Sequence, residues 1–283
     1  MRILVTGGSG FLGTHVREYF GADDLSRRSG FNILNLNDVR RVGEYDAVIH
    51  LAAEMSKARE DEGKVFMTNV EGTINVLREM REDAAFIFAS TKDVYGRFAD
   101  NYAEVSETCP TLYSGQAPLE WSKLIAERYV EYYAHSRRFR ACIFRMSTVY
   151  APMSEGNVPN FVTHYADAIN KGETIRLPGG GRPRRDLLYV DDFSKACQVF
   201  IDSALRHGSY NLGGGRRFSL TLTEIISKLE QVSGLQAVVD SENPLPDPVP
   251  LDYVTDIGLV TRELDWNPTT TIEDGLGRLF GKQ

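Results

Sequence analysis

The sequence predicts an α/β protein whose body is a doubly wound parallel sheet, with a smaller C-terminal α/β lobe behind it. Three observations carry this. Short β-rich runs alternate with amphipathic stretches through the first half, and a glycine-rich turn joins the first run to the first amphipathic stretch; after Tyr150 the texture changes to Gly/Pro-rich loops between shorter elements. The 283 residues, 42% hydrophobic and 25% charged, suffice for a large core.

The elements follow in chain order. "RILV" makes the first strand, and "TGGSGFLG" sets Gly7, Gly10 and Gly13 between it and a helix whose apolar stripe is Phe11, Leu12, Val16, Tyr19 and Phe20. Glycines there let the backbone turn tightly and approach a pyrophosphate, whose charge meets the free N–H groups and positive end of the helix. The second strand decides the dinucleotide. An acidic residue at its end accepts hydrogen bonds from the ribose of NAD(H), whereas arginine there accommodates the 2′-phosphate of NADP(H). If "DDLS" is the strand, Ser26, Arg27 and Arg28 stand at its end and NADP(H) is favoured; if Asp23 or Asp24 ends it, NAD(H) is favoured instead.

"DAVIHLAA", "AFIFAS" and "RACIFRM" read as further strands. The helix over 65–80 carries Val65, Phe66, Val70, Ile74 and Leu77 at helical spacing, and "LIAERYVEYY" gives another. Behind them, "APMSEGNVPN", "LPGGGRPRRD" and "SENPLPDPVP" are loops, and Thr221 with Glu224 is a capping-box pattern opening a late helix. The expected division is a dinucleotide-binding domain over 1–149, with a returning segment of about 188–207, and a substrate-binding lobe over 150–187 and 208–283.

Charge and spacing exclude several classes. A net charge of −7 and a pI near 5.4 argue against nucleic acid, and no run of 18 apolar residues offers a membrane span. The chain opens directly on a strand, without a signal peptide's apolar run and cleavage site. Cys109, Cys142 and Cys197 are an odd, scattered set that suits a reducing compartment, so a cytoplasmic location is expected. The five histidines lie far apart, and no metal is expected.

Several motifs together resemble the extended short-chain dehydrogenase/reductases of the NAD-dependent epimerase/dehydratase family, most of which modify nucleotide sugars. They are "TGGSGFLG", "VIHLAA", "NVEGTINVL", "STKDVYG", "SKLIAE", "GGGRPRRDLLYVDD", "YNLGGG" and "LDWNPTTTIEDGL", spread almost end to end. The resemblance implies a Rossmann-type domain whose cofactor surface also takes in Leu36, Leu51, Ala52, Ala53, Asn69 and Lys123. It implies a nucleoside-diphosphate sugar as substrate, with Arg185 gripping its diphosphate and Thr148 in the sugar pocket. A homodimer packed through the 65–80 and 124–133 helices is implied as well.

The resemblance further implies that Thr91 meets the sugar oxygen and that Lys123 holds the nicotinamide ribose while lowering the pKa of a catalytic tyrosine. Such a tyrosine, ordinarily near pKa 10, needs that help to exchange protons at neutral pH. Counting back from Lys123 in Y-x-x-x-K gives Leu119, which can neither donate nor accept a proton. Tyr113, on the loop before the helix, is the first candidate to replace it, with Glu120 and Lys92 behind. Lys92 stands where related dehydratases carry the acid that protonates a leaving hydroxyl, so dehydration is disfavoured. Three readings follow: an NADPH-linked reductase of a keto-sugar nucleotide, an epimerase with a rerouted acid and base, and a non-catalytic dinucleotide-binding regulator.

Overall fold

The computed structural model describes residues 1–244 and 250–282. Chain order begins β1 (Ile3–Thr6), α1 (Phe11–Phe20), β2 (Asp23–Leu25), α2 (Leu36–Val39) and β3 (Ala47–His50). It continues through α3 (Glu62–Phe66), α4 (Gly72–Glu79), β4 (Ala85–Thr91), α5 (Pro118–Arg137) and β5 (Arg140–Met146). Four-residue strands that are buried at every position, such as β1 and β3, read as continuous apolar runs because helices cover both faces of a parallel sheet.

The lobe contributes β6 (Thr148–Tyr150), α6 (Phe161–Lys171), β7 (Thr174–Pro178) and β8 (Arg184–Tyr189). The chain then returns through α7 (Val190–Asp202) and β9 (His207–Leu212) before β10 (Ser219–Thr221), α8 (Leu222–Ser233), β11 (Val238–Asn243), β12 (Asp252–Tyr253), α9 (Gly258–Leu264) and α10 (Ile272–Arg278). The loop expected over 241–250 begins inside β11, and its residues 245–249 lie outside those described.

The main sheet has six parallel strands in the order β2-β1-β3-β4-β5-β9. The order reverses at β1, so the crevice at the carboxyl ends of β1 and β3 is the topological switch point at which such sheets take ligands. The returning stretch runs past its expected end at 207. "HGSYNL" has too few apolar residues to announce a strand, yet β9 pairs with β5 from Ala141↔His207 to Met146↔Leu212. The expected uniform helix over 65–80 is also interrupted: a π-helical turn, Met67–Glu71, separates α3 from α4. At Thr221 the capping box forms as expected, its hydroxyl accepting from Glu224 N at 3.1 Å and the Glu224 carboxylate accepting from Thr221 N at 2.7 Å.

Candidate active site

Three glycines shape the end of β1. Gly7 has φ of 72°, and a Cβ on it would stand 2.7 Å from Ala52 N, so its bare backbone lets the Leu51–Ala52–Ala53 segment close over the turn. A Cβ on Gly13 would run into the Gly7 carbonyl oxygen. Gly10 caps α1 in extended geometry with no side-chain hydrogen bond, leaving the first N–H groups of Phe11, Leu12 and Gly13 for an anion. The cradle fits a dinucleotide pyrophosphate. Asp24 Oδ2 accepts from the hydroxyls of Ser9 and Ser26, while its Oδ1 is buried against Gly8 with no hydrogen-bond partner.

β2 ends at Leu25, whose carbonyl accepts from Gly7 N at 2.9 Å, so Ser26 is the first residue beyond the strand, with Arg27 and Arg28 on a single 3₁₀ turn. Arg27 is exposed. Arg28 reaches across the glycine loop, donating to Ser9 O at 3.0 Å, to Asn157 Oδ1 at 2.7 Å and to Gly156 O.

On the far side of the crevice, Lys123 is buried on α5 and donates to Ala89 O of β4 at 2.7 Å, two residues before Thr91. Burial pulls its amine down to about 8, against an opposing upward pull from Glu127 one turn along. Thr91 ends β4, its hydroxyl accepting from Asp93 N at 3.2 Å. Asn69 sits in the π turn. Its Oδ1 accepts from Glu54 N at 2.7 Å, and its Nδ2 donates to Glu54 O and to Ser122 Oγ, which ties the loop after β3 to α5.

Four charged side chains crowd the space between Thr91 and the start of α5. Lys57 Nζ lies 2.6 Å from Glu120 Oε1 and 3.0 Å from Asp93 Oδ2, and Asp93 also pairs with Lys92. Burial would raise the Asp93 carboxyl, but Lys92 and Lys57 hold it well below the usual carboxylate range. Lys92 Nζ stands 4.7 Å from the Tyr253 ring centre. Arg185, buried on β8, donates to Arg184 O at 2.6 Å, Leu251 O at 2.8 Å and Pro250 O at 2.9 Å. Burial lowers its guanidinium, and Asp93 is the carboxylate that opposes this most.

Beneath the cleft, Arg145 is clasped by Glu127 at 2.7 Å in a buried ion pair that Tyr95, Asn211 and Ser90 extend.

Contacts through Asp93 and Lys57 thus join Thr91, Lys92 and Glu120, and Lys123 meets the same strand at Ala89. The structure does not bring Tyr113 there. Tyr113 is 70% exposed and meets the Trp121 ring edge-on at 5.7 Å. Trp121 lies two positions from both Leu119 and Lys123, hence on the opposite side of α5. Thr148 is buried on β6, and Leu36 stands 58% exposed at the start of α2, apart from the charged cluster. Sequence reasoning missed Lys57, Asp93 as its anchor, and Glu127 with Arg145. Their one signal is charge inside otherwise apolar or motif-bearing segments, and such charge reads equally well as surface.

Residues 3–213 match the model of the NAD dependent epimerase/dehydratase family. The chain is 28% identical to a CDP-paratose 2-epimerase of Salmonella typhi over 338 residues, an alignment covering 99% of this chain and 98% of that protein. Its fold resembles UDP-glucuronic acid 4-epimerase from Bacillus cereus, solved with UDP-glucuronic acid and NAD, at a TM-score of 0.84 and 24% identity over 99% and 98% of the two chains. It also resembles RMD from Pseudomonas aeruginosa, solved with NADPH, at a TM-score of 0.84 and 21% identity over 99% and 96%.

Proposed function

The chain belongs to the NAD dependent epimerase/dehydratase family, and from that membership we propose that it is an enzyme reducing a keto group of a nucleoside-diphosphate sugar with NADPH. The observation that carries reduction is the pairing of both carboxylates beside Thr91 with lysines. Epimerisation through a ketone starts by taking a proton from a sugar hydroxyl and needs a base. Here Asp93 and Glu120 are committed to ammonium groups and Leu119 offers none. Reduction instead needs positive charge and a proton at the carbonyl oxygen, which this cleft can supply. Two of the relatives named above fit the substrate class, one being named a CDP-paratose 2-epimerase and the other solved with UDP-glucuronic acid. Bound at the glycine cradle, a nicotinamide cofactor would supply the hydride; Gly7, Gly10 and Gly13 would hold its pyrophosphate, and Lys123 and Asn69 would shape the crevice around it.

NADP(H) is the cofactor we assign, because Ser26, Arg27 and Arg28 follow β2 directly. Replacing the exposed Arg27 with alanine should weaken NADP(H) selectively and leave NAD(H) affinity nearly unchanged, since a charge-assisted phosphate contact is about twice as strong as a neutral hydrogen bond. Calorimetric titration of both cofactors reads the difference, and equal affinities in the native protein overturn the assignment. The homodimer and the cytoplasmic location belong to the same reading. Tyr129 and Tyr132 on α5 and Met67 in the π turn are exposed, as an unpaired interface would leave them, and sedimentation equilibrium checks this. No helix among the described residues is long and apolar enough to cross a membrane.

A further inference from the structure

One ammonium is pinned between the two segments that carry Thr91 and Lys123. Lys57, on the loop after β3, bridges Asp93, two residues past Thr91, and Glu120, one residue past Leu119. It therefore stands at the first turn of α5, where the family's tyrosine is absent. Glu120 is buried, and its second oxygen has no hydrogen-bond partner. A buried carboxylate oxygen without a partner is costly to keep. The other two lysines are placed differently. Lys123 is buried on Ala89 O, and the Lys92 side chain, 12% exposed, lies against Tyr253, whereas that of Lys57 is 52% exposed.

We propose that Lys57 does the work left vacant at Leu119: its ammonium receives the developing alkoxide of the sugar and gives it a proton, with Asp93 and Glu120 fixing its position. This rests on the keto-sugar reductase reading. As the carbonyl carbon accepts hydride from reduced nicotinamide, a C–H bond forms and the C=O π pair moves onto oxygen. That oxygen takes a proton from Lys57 Nζ, leaving an alcohol, an oxidised nicotinamide and a neutral amine, which regains its proton from water on its exposed side. Burial would lower the Lys57 amine, but Asp93 and Glu120 hold it above the ordinary lysine range. It is therefore charged at neutral pH, and it gives up a proton only to a base as strong as an alkoxide.

The test compares native protein with Lys57→Met and Lys57→Arg. Single-turnover hydride transfer from NADPH to a keto-sugar nucleotide should fall about 10²–10⁴-fold in Lys57→Met, the usual worth of acid–base assistance, and recover in part in Lys57→Arg. Calorimetry should show cofactor and nucleotide-sugar affinities close to native in both. Independently of turnover, the side-chain nitrogen resonance of Lys57, assigned by its loss in Lys57→Arg, should shift when the nucleotide sugar is added without cofactor. Native-rate transfer in Lys57→Met, or an unmoved resonance, overturns the proposal and leaves the reductase reading standing. A native protein that binds nucleotide sugars and transfers hydride to none overturns both.

Discussion

Glu127→Ala should lower the unfolding free energy by about 3–5 kcal/mol, the usual cost of removing one partner from a buried ion pair. Glu127 is fully buried and takes three hydrogen bonds from Arg145 and one from Ser90. Without it, Arg145 remains charged in the interior beside the Tyr95 hydroxyl, and Ser90 loses its acceptor. Urea denaturation followed by circular dichroism reads the loss, and a shift below about 1 kcal/mol, the range of a surface pair, would show that the pair is not the keystone under β4 and β5. The same substitution removes the group that supports the charge on Lys123, so the lysine amine should titrate below its native value of about 8.

Arg185→Ala should weaken nucleotide-sugar binding by about two orders of magnitude, in line with the 2–5 kcal/mol typical of truncating a buried, hydrogen-bonded charge at an interface. Three backbone carbonyls fix its guanidinium, and β8 carries it between β10 and β12, with Leu220 and Tyr253 as its neighbours in register. Arg185→Lys should cost nearly as much, because a single ammonium cannot hold this set of carbonyls and still offer a planar fork to phosphate oxygens. Titration with NADP(H) present checks both variants, and native affinity in Arg185→Ala would move the diphosphate site elsewhere.

Local chemistry was legible in the sequence. The glycine loop could be read because Gly7 and Gly13 answer to backbone sterics that no other residue satisfies, and the Thr221–Glu224 cap because it closes within four residues. The strand end at Leu25 falls between the two ends the sequence allowed, one residue short of "DDLS" and one past Asp24. Long-range pairing was not legible. Lys57 and Glu120 are far apart in the chain, and each alone reads as a solvated surface charge, so only the packing of the β3 loop onto α5 discloses the pair. Tyr113 looked suitable by proximity in sequence, but the direction in which Trp121 leaves α5 carries it outward. The π turn at Asn69 was hidden because a one-residue bulge leaves the apolar spacing of 65–80 almost unchanged.

In the proposed reaction this site moves hydride without a tyrosine at Leu119. Single-turnover absorbance of NADPH, mixed with a keto-sugar nucleotide that calorimetry shows to bind, tests it most directly in the native protein and in Leu119→Tyr. Oxidation of NADPH is expected in the native protein and no faster transfer in Leu119→Tyr, because Lys57 is already placed to supply the proton. Silence in the native protein with every nucleotide sugar that binds would contradict it, and a large gain in Leu119→Tyr would show a site that lost its acid and found no other.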